Sequence, residues 1–321
     1  MSKYLELVEG SFNESHFSKQ DISNKPYVAY SIQDNQVIYT IIPESVVSGP
    51  WVTFTAEEAN STIGLSKLST NQTLEYSTDT TTWSNMNTST TVTLANVGDE
   101  VYVRGMLSAD NDNLSSNFTR FKMTGKIAAS GNCNAIWNYQ DLNAPLKKCC
   151  GYYMFHDCAS LTTAPELPAT TLTPYCYGGM FYGCTSLTQA PELLATTLAN
   201  YCYQYMFNDC TSLTIAPELP ATTLTPYCYC GMFWGCTSLT IAPELPATTL
   251  ANYCYSSMFT ACNNLNYIKC LATNIRASNC TSYWVQDAPG VGTFIKHPDM
   301  TSWATGSNGI PSGWTVENAV L

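Results

Sequence analysis

The sequence predicts a mixed, mainly β protein in four parts: an N-terminal β anchor (1–48), a β-sandwich (49–131), a repeat solenoid (132–282) and a C-terminal cap (283–321). Three observations carry that prediction. Short Thr/Val/Tyr-rich runs at spacings near ten residues fill residues 49–131. A 26-residue period governs the segment after it. The last stretch loses that period and fills with Trp, Gly and Pro.

Composition bounds the function. With 321 residues, 45% of them hydrophobic, the chain can bury a core. Only 12% are charged, about half the usual share. Acidic residues outnumber basic ones, 24 to 13, for a net charge of −11. No basic stripe can displace counterions from phosphates, so nucleic acid is not expected as a partner. No run of about 18 apolar residues predicts a membrane span. The opening MSKYLELVEGSFNESHF has neither an apolar h-region nor a small-residue cleavage site, so a Sec export signal is not expected.

In 1–48, a polar lead from Ser2 to Ser23 precedes KPYVAYSIQDNQVIYTIIP. Two β-rich runs flank Gln33-Asp34-Asn35-Gln36 and read as a hairpin. So small a unit is marginal alone and is expected to dock on a partner. In 49–131, the runs WVTFTAEE, STIGLSKL, QTLEYSTD, TTVTLANV, EVYVRGML and NFTRFKMTG read as an antiparallel sandwich without a ligand motif. Sequons such as Asn71-Gln72-Thr73 are expected to be incidental.

The repeat is carried by cysteines. Cys158, Cys184, Cys210, Cys236 and Cys262 are spaced by 26 residues, and Cys133 stands in a degenerate first repeat. Cys150, Cys176, Cys202, Cys228, Cys254 and Cys280 form a second series at the same spacing. Met-Phe pairs at Met154, Met180, Met206, Met232 and Met258 keep the period, and Cys149, Cys230 and Cys270 fall outside both series. Within one repeat, the nine residues from Cys176 suggest a short helix, because Cys176, Tyr177, Met180, Phe181 and Cys184 fall within about 140° of one another on a helical wheel. SLTQAPEL then reads as a short strand with Leu187, Ala190 and Leu193 inward, limited by Pro191, and Leu198 points inward on the return. One repeat cannot bury its apolar stripe alone; stacked neighbours bury it jointly.

At inward positions, cysteine behaves as a small hydrophobe, so buried thiols are expected. Disulfides between repeats and metal binding are the alternatives. One thiol per turn does not converge as zinc ligands do. A finer 52-residue period also exists: Thr173-Pro174 and Thr225-Pro226 alternate with Ala199-Asn200 and Ala251-Asn252. It points to duplication of a two-repeat unit.

Outward positions drift while core positions stay fixed. After Met-Phe stand His156, Tyr182, Asn208, Trp234 and Thr260, followed by Asp157, Gly183, Asp209, Gly235 and Ala261. On the strand stand Thr163, Gln189, Ile215, Ile241 and Tyr267. The drift reads either as neutral surface change or as a recognition surface. The recognition candidates are His156, Tyr182, Asn208, Trp234, Gln189, Ile215 and Ile241. Exposed Tyr182 and Trp234 would suit a sugar ring or a protein partner. Glu166, Glu192, Glu218 and Glu244 form a like-charge series that keeps the surface solvated or holds a cation. The three histidines are His16, His156 and His297. His156-Asp157-Cys158 suggests a Cys–His pair, but Cys158 holds a core phase and no third group orients the pair. The chain is read as a non-enzyme without catalytic residues, metal or cofactor.

The core MFYGCTSLTQAPEL, from Met180, resembles the BspA-like leucine-rich-repeat family. That family occurs in surface and adhesion proteins of gut and oral bacteria and in their phages. The 26-residue period is longer than the family's common repeat, so the shape of each turn is expected to differ. GTFIKHPDM and GIPSGWTV near the end, and WVTFTAEEANSTIGLSKL, are similar to segments beside such repeats in Bacteroides and their phages. HFSKQDISNKPYVAYSIQDNQVIYT resembles the start of fibre or decoration proteins of crAss-like gut phages. The resemblance implies a structural virion protein assembled in the bacterial cytoplasm. It would be a head or tail fibre attached by its N-terminus to other virion proteins, capsid or tail. Its solenoid would bind a host surface or glycan. The alternatives are a BspA-like adhesin at the bacterial cell surface and a structural adaptor with no ligand. A homo-oligomer, dimer or trimer, is expected from the avidity that fibres need.

Overall fold

Period-two patterning organises the first half. In EVYVRGML, Val101, Val103 and Leu107 are buried and alternate with half-buried Tyr102, Arg104 and Met106, as a strand with one face on a core requires. The computed structural model describes residues 27–33, 36–42, 49–110, 117–301 and 303–320. They are mainly β, in four sheets of which none is closed, with one short helix. The polar lead Ser2–Ser23 and the turn residues Asp34 and Asn35 lie outside them. The chain divides into two units, Met1–Gly49 and Pro50–Leu321.

In the first unit, β1 (Tyr27–Gln33) and β2 (Gln36–Ile42) pair antiparallel from Tyr27↔Ile42 to Gln33↔Gln36. In the second unit the strands are β3 (Val52–Ala56), β4 (Ser61–Lys67), β5 (Gln72–Ser77), β6 (Ser84–Met86), β7 (Thr91–Leu94), β8 (Glu100–Leu107), β9 (Arg120–Thr124) and β10 (Ile127–Ser130). A short helix, α1 (Ala135–Asn138), and β11 (Leu161–Thr163) follow. One sheet has the order β11-β10-β3-β8-β5-β6 and another β7-β4-β9. Phe54 of β3 meets Phe121 of β9 at 5.4 Å between ring centroids, which joins the two sheets through one core. β11 belongs to the repeats, yet it pairs parallel with β10. The expected boundary at 131/132 therefore falls inside a continuous sheet.

The repeats depart from expectation in their turn segment, which forms no helix. Tyr175, Tyr177, Gly179 and Gly183 are left-handed, at φ 62, 62, 58 and 70°. The same odd positions recur at Tyr201, Tyr205 and Asp209, and at Tyr227, Gly231 and Gly235. Right- and left-handed residues in alternation turn successive amides in opposite directions, which a helix cannot do. Even-numbered amides close local turns: Met180 N–H donates to Tyr177 O at 3.1 Å and Cys184 N–H to Phe181 O at 3.0 Å. Odd-numbered amides bond between repeats: Phe181 donates 25 residues ahead to Met206 O, as do Phe207 to Met232 O and Phe233 to Met258 O, each at 2.9 Å, whereas Tyr177 donates back to Cys150 O at 2.8 Å. The backbone polar groups of this segment are thus paired in two directions. The strand segment is also shorter than expected. β12 (Tyr267–Cys270) is a full strand, whereas Leu167↔Leu193 and Gln189↔Ile215 are single parallel bridges. Pro165, Pro191, Pro217 and Pro243 interrupt the pairing because they carry no N–H.

Side chains stack in register with this backbone. Phe155, Phe181, Phe207, Phe233 and Phe259 lie 5.5–5.7 Å apart and nearly parallel. Tyr177, Tyr203, Tyr229 and Tyr255 form a second buried row. The phenylalanine row begins on Phe121 of β9 and the tyrosine row on Trp137 of α1; both end on fully buried Trp284. The 26-residue spacing continues in the pairing beyond 282. Trp284 takes the methionine phase, and β13 (Thr293–Lys296) pairs parallel with β12 through Tyr267↔Thr293, still 26 residues on. Backbone pairing needs no cysteine, so it outlasts the motif. β14 (Thr315–Asn318) adds a third parallel strand, and Trp284 Nε1 donates to Gly309 O at 2.7 Å.

All fifteen cysteines are free and buried. One series has a directional role as well. The thiols of Cys184, Cys210, Cys236 and Cys262 donate to carbonyls of Phe155, Phe181, Phe207 and Phe233 in the preceding repeat, at 3.0–3.1 Å. Burial pushes Cys158, Cys202, Cys262 and Cys270 up to about 12 from an ordinary 9.0. A folded pKa above the unfolded one stabilises fully below about pH 9, and that contribution is lost as pH rises through about 12. Two outcomes follow for the intact protein. A water-soluble thiol reagent labels none of the cysteines until denaturant is added, and the cysteine contribution to stability is flat up to about pH 9 and declines above it.

Candidate functional site

The site is built by side chains that lean along the stack. Tyr205 lies over Gly231 of the next repeat, and Asp209 lies over Gly235. A Cβ at Gly231 would run into the Tyr205 ring, and one at Gly235 into the Asp209 carboxylate. Both glycines also hold φ above +60°. Tyr153 over Gly179 and Asp157 over Gly183 repeat the arrangement 52 residues earlier. The alternation of Tyr153, Gly179, Tyr205 and Gly231 therefore has a steric cause: a large outward residue in one repeat requires glycine in the next.

The glycine-bearing repeats carry an aromatic residue beside that gap. Trp234 is 39% exposed, and its ring lies 6.5 Å from Tyr205 at 50°. The Asp209 carboxylate lies near the Tyr182 phenol. Partial burial, and then the Asp209 charge, push the Tyr182 phenol above its ordinary value. Tyr182, Tyr205, Asp209 and Trp234 thus form one cluster, with half-buried tyrosines beside an exposed carboxylate and an exposed indole.

The equivalent place one unit earlier is closed. Tyr153 and Tyr182 lie 6.4 Å apart at 70°. There Arg120 of β9 forms an ion pair with Asp157 at 2.9 Å, donates to the His156 carbonyl at 3.1 Å and contacts the His156 ring. His156 stacks on Tyr182 at 4.6 Å and 9°. A cation and an imidazole fill the first position, whereas no ion pair reaches Asp209 among the described residues.

The seven recognition candidates separate. His156, Tyr182 and Trp234 belong to the turn segment and surround this cluster. Asn208 stands between Tyr182 and Trp234 in the same row, but it is buried, 4% exposed. Its short amide lies below the larger neighbouring side chains, so its assignment to an outward surface is corrected. Gln189, Ile215 and Ile241 form another row on the strand segment, beyond buried Cys184 and Leu187. Gln189 bridges Ile215, and Ile215 and Ile241 are 56% and 58% exposed. A groove of ≈ 470 Å³ runs beside Gln189 and Ile215, with Glu192 and Glu218 on its walls. The glutamate series ends where Lys269 Nζ meets Glu244 at 2.9 Å.

Tyr153, Tyr205, Asp209 and Arg120 were not singled out as candidates. The Tyr153–Gly179–Tyr205–Gly231 alternation was a readable signal for the first two. Arg120 had none, because it comes from a different part of the chain. A further row, Tyr175, Tyr201, Tyr227 and Tyr253, is half-buried and stacks at 4.5–4.6 Å, with the ring faces turned to each other. Among the described residues, no group of three or more His, Cys, Asp or Glu could hold a metal ion. No family model, curated protein or solved structure matches the chain.

The Tyr205–Gly231 contact gives a double-mutant test. Gly231→Ala is expected to destabilise by about 1 kcal/mol or more, through ring overlap and positive φ. Tyr205→Ala in the same chain removes the overlap, so urea unfolding shows coupling of about 0.5–3 kcal/mol. Additive effects would contradict the contact.

Proposed function

We propose that this chain is a display protein of a tailed-phage particle, a head or tail fibre that binds material at the host surface. In this reading residues 132–282 are a leucine-rich-repeat solenoid of the BspA-like kind. Residues 49–131 are a β-sandwich that spaces it from the particle, and 283–321 are its cap. The first unit attaches the chain to other virion proteins of the capsid or tail. Several copies assemble, so that weak sites act together.

The carrying observation is the division of labour within the repeat. Phe181, Phe207, Phe233 and their thiol partners are kept identical inside. Outside, the same scaffold presents an exposed ring-and-carboxylate cluster at one unit and a closed one at another. A stacked backbone tolerates such outward change without loss of its core, which suits binding and display. The resemblance of the N-terminal segment to phage fibre proteins favours a particle over a cell surface as the place of display.

The test is direct. Particles purified from an infected gut-bacterial culture contain this protein in stoichiometric amount by mass spectrometry, and cryo-electron microscopy finds it projecting from the capsid or tail. Its absence from particles, with labelling on cells that carry no prophage, would overturn the reading in favour of a cell-surface adhesin.

A further inference from the structure

We propose that Tyr182, Tyr205, Asp209 and Trp234 form a binding site for an uncharged carbohydrate chain. The inference rests on the display reading and names the ligand class and residues of its binding face.

Three features define the ligand. First, Trp234 offers an exposed indole, and Tyr205 meets it at 50°, so the two rings form an angled corner and not a stacked pair. Such a corner accepts the apolar C–H face of a sugar ring. Second, the Asp209 carboxylate lies over Gly235, the residue after Trp234, and Asp209 is exposed beside that corner. An ionised carboxylate only accepts hydrogen bonds, so it suits the hydroxyl pair of a sugar. Third, no cation neutralises it among the described residues, and the chain carries a net charge of −11. An anionic ligand would be repelled, which selects a neutral one.

The repeat adds a register. Neighbouring phenylalanine rings are separated by 5.7 Å, so Trp234 stands two such steps along the stack from Tyr182. A chain lying along the stack would meet Trp234 with one sugar and the Tyr182 end of the cluster with another. The equivalent first unit contributes less, because Arg120 and His156 occupy it. The next unit contributes nothing, because Ser257 and Ala261 replace the tyrosine and the aspartate. The protein therefore has one strong site per chain.

The experiment uses the full-length protein and isothermal titration with neutral β-glucan and α-mannan oligomers, from dimer to hexamer, beside a polyuronate of matched length. One neutral series is expected to bind, with affinity rising from dimer to tetramer and then levelling. Trp234→Ala is expected to lower affinity roughly tenfold or more, Trp234→Phe to restore most of it, and Asp209→Asn to weaken it several-fold. Ile241→Ala, on the other row, leaves it unchanged. Unchanged binding by Trp234→Ala, tighter binding of the polyuronate, or no binding by either neutral series would overturn the proposal. If the protein is found in particles but binds neither series, this assignment falls and the display reading stands. If it binds sugar but is absent from particles, the display reading falls and the site stands.

Discussion

In the turn segment of each repeat, the odd-numbered amides bond across the stack, and nearly all of them donate forward into the next repeat. Phe181 N–H to Met206 O is one rung of a series that also runs through Gly183 to Asn208 O, Phe207 to Met232 O and Asp209 to Trp234 O. Apart from Tyr177 N–H, which donates back to Cys150 O at 2.8 Å, these bonds share one direction, so the stack has two unlike ends. At the N-terminal end carbonyls need donors, and Phe121 N–H supplies one to Met154 O at 2.8 Å. At the C-terminal end amides need acceptors. Asn308 Oδ1 accepts from Tyr283 N–H at 2.6 Å, and Ser307 O accepts from Val285 N–H at 3.3 Å. Left-handed tyrosines and aspartates cost about 1–2 kcal/mol each. An isolated repeat could not offset that cost; neighbours on both sides can.

The same direction governs the side chains. Each phenylalanine carbonyl takes a local amide on one lone pair and, from the next repeat, a cysteine thiol on the other. Cysteine is therefore more than a small apolar filler in that series: alanine would fit the space and leave the second lone pair unmet. The outward side chains lean the same way, which is why Tyr205 and Asp209 require glycine one repeat later. The outward ring-and-carboxylate cluster is a product of the backbone direction.

The period, the buried cysteines and the β character were legible because burial repeats strictly with position. The turn segment was not. Its five apolar residues fit one face of a helix, and tyrosine at Tyr175, Tyr201 or Tyr227 gives no sign of a left-handed backbone. Only the bonds to the next repeat hold it there, and no window within one repeat contains them. The pairing beyond 282 was not legible for a related reason. Motif residues vanish after Cys280, yet the parallel pairing continues through Thr293–Lys296. At the site, Trp234 and Tyr182 were visible as variable outward residues. The burial of Asn208 and the closure of the first unit by Arg120 depend on packing across the stack and on a strand some thirty-six residues away in sequence.

Hydrogen exchange on the native protein tests the directional ladder most directly. The amides of Phe181, Phe207 and Phe233 are predicted to exchange only through opening of the whole stack, at one shared and slow rate. Amides of the exposed ATTL segments, such as Thr196 and Thr222, exchange through local opening. Exchange of the three phenylalanine amides at the rate of those segments would contradict the account.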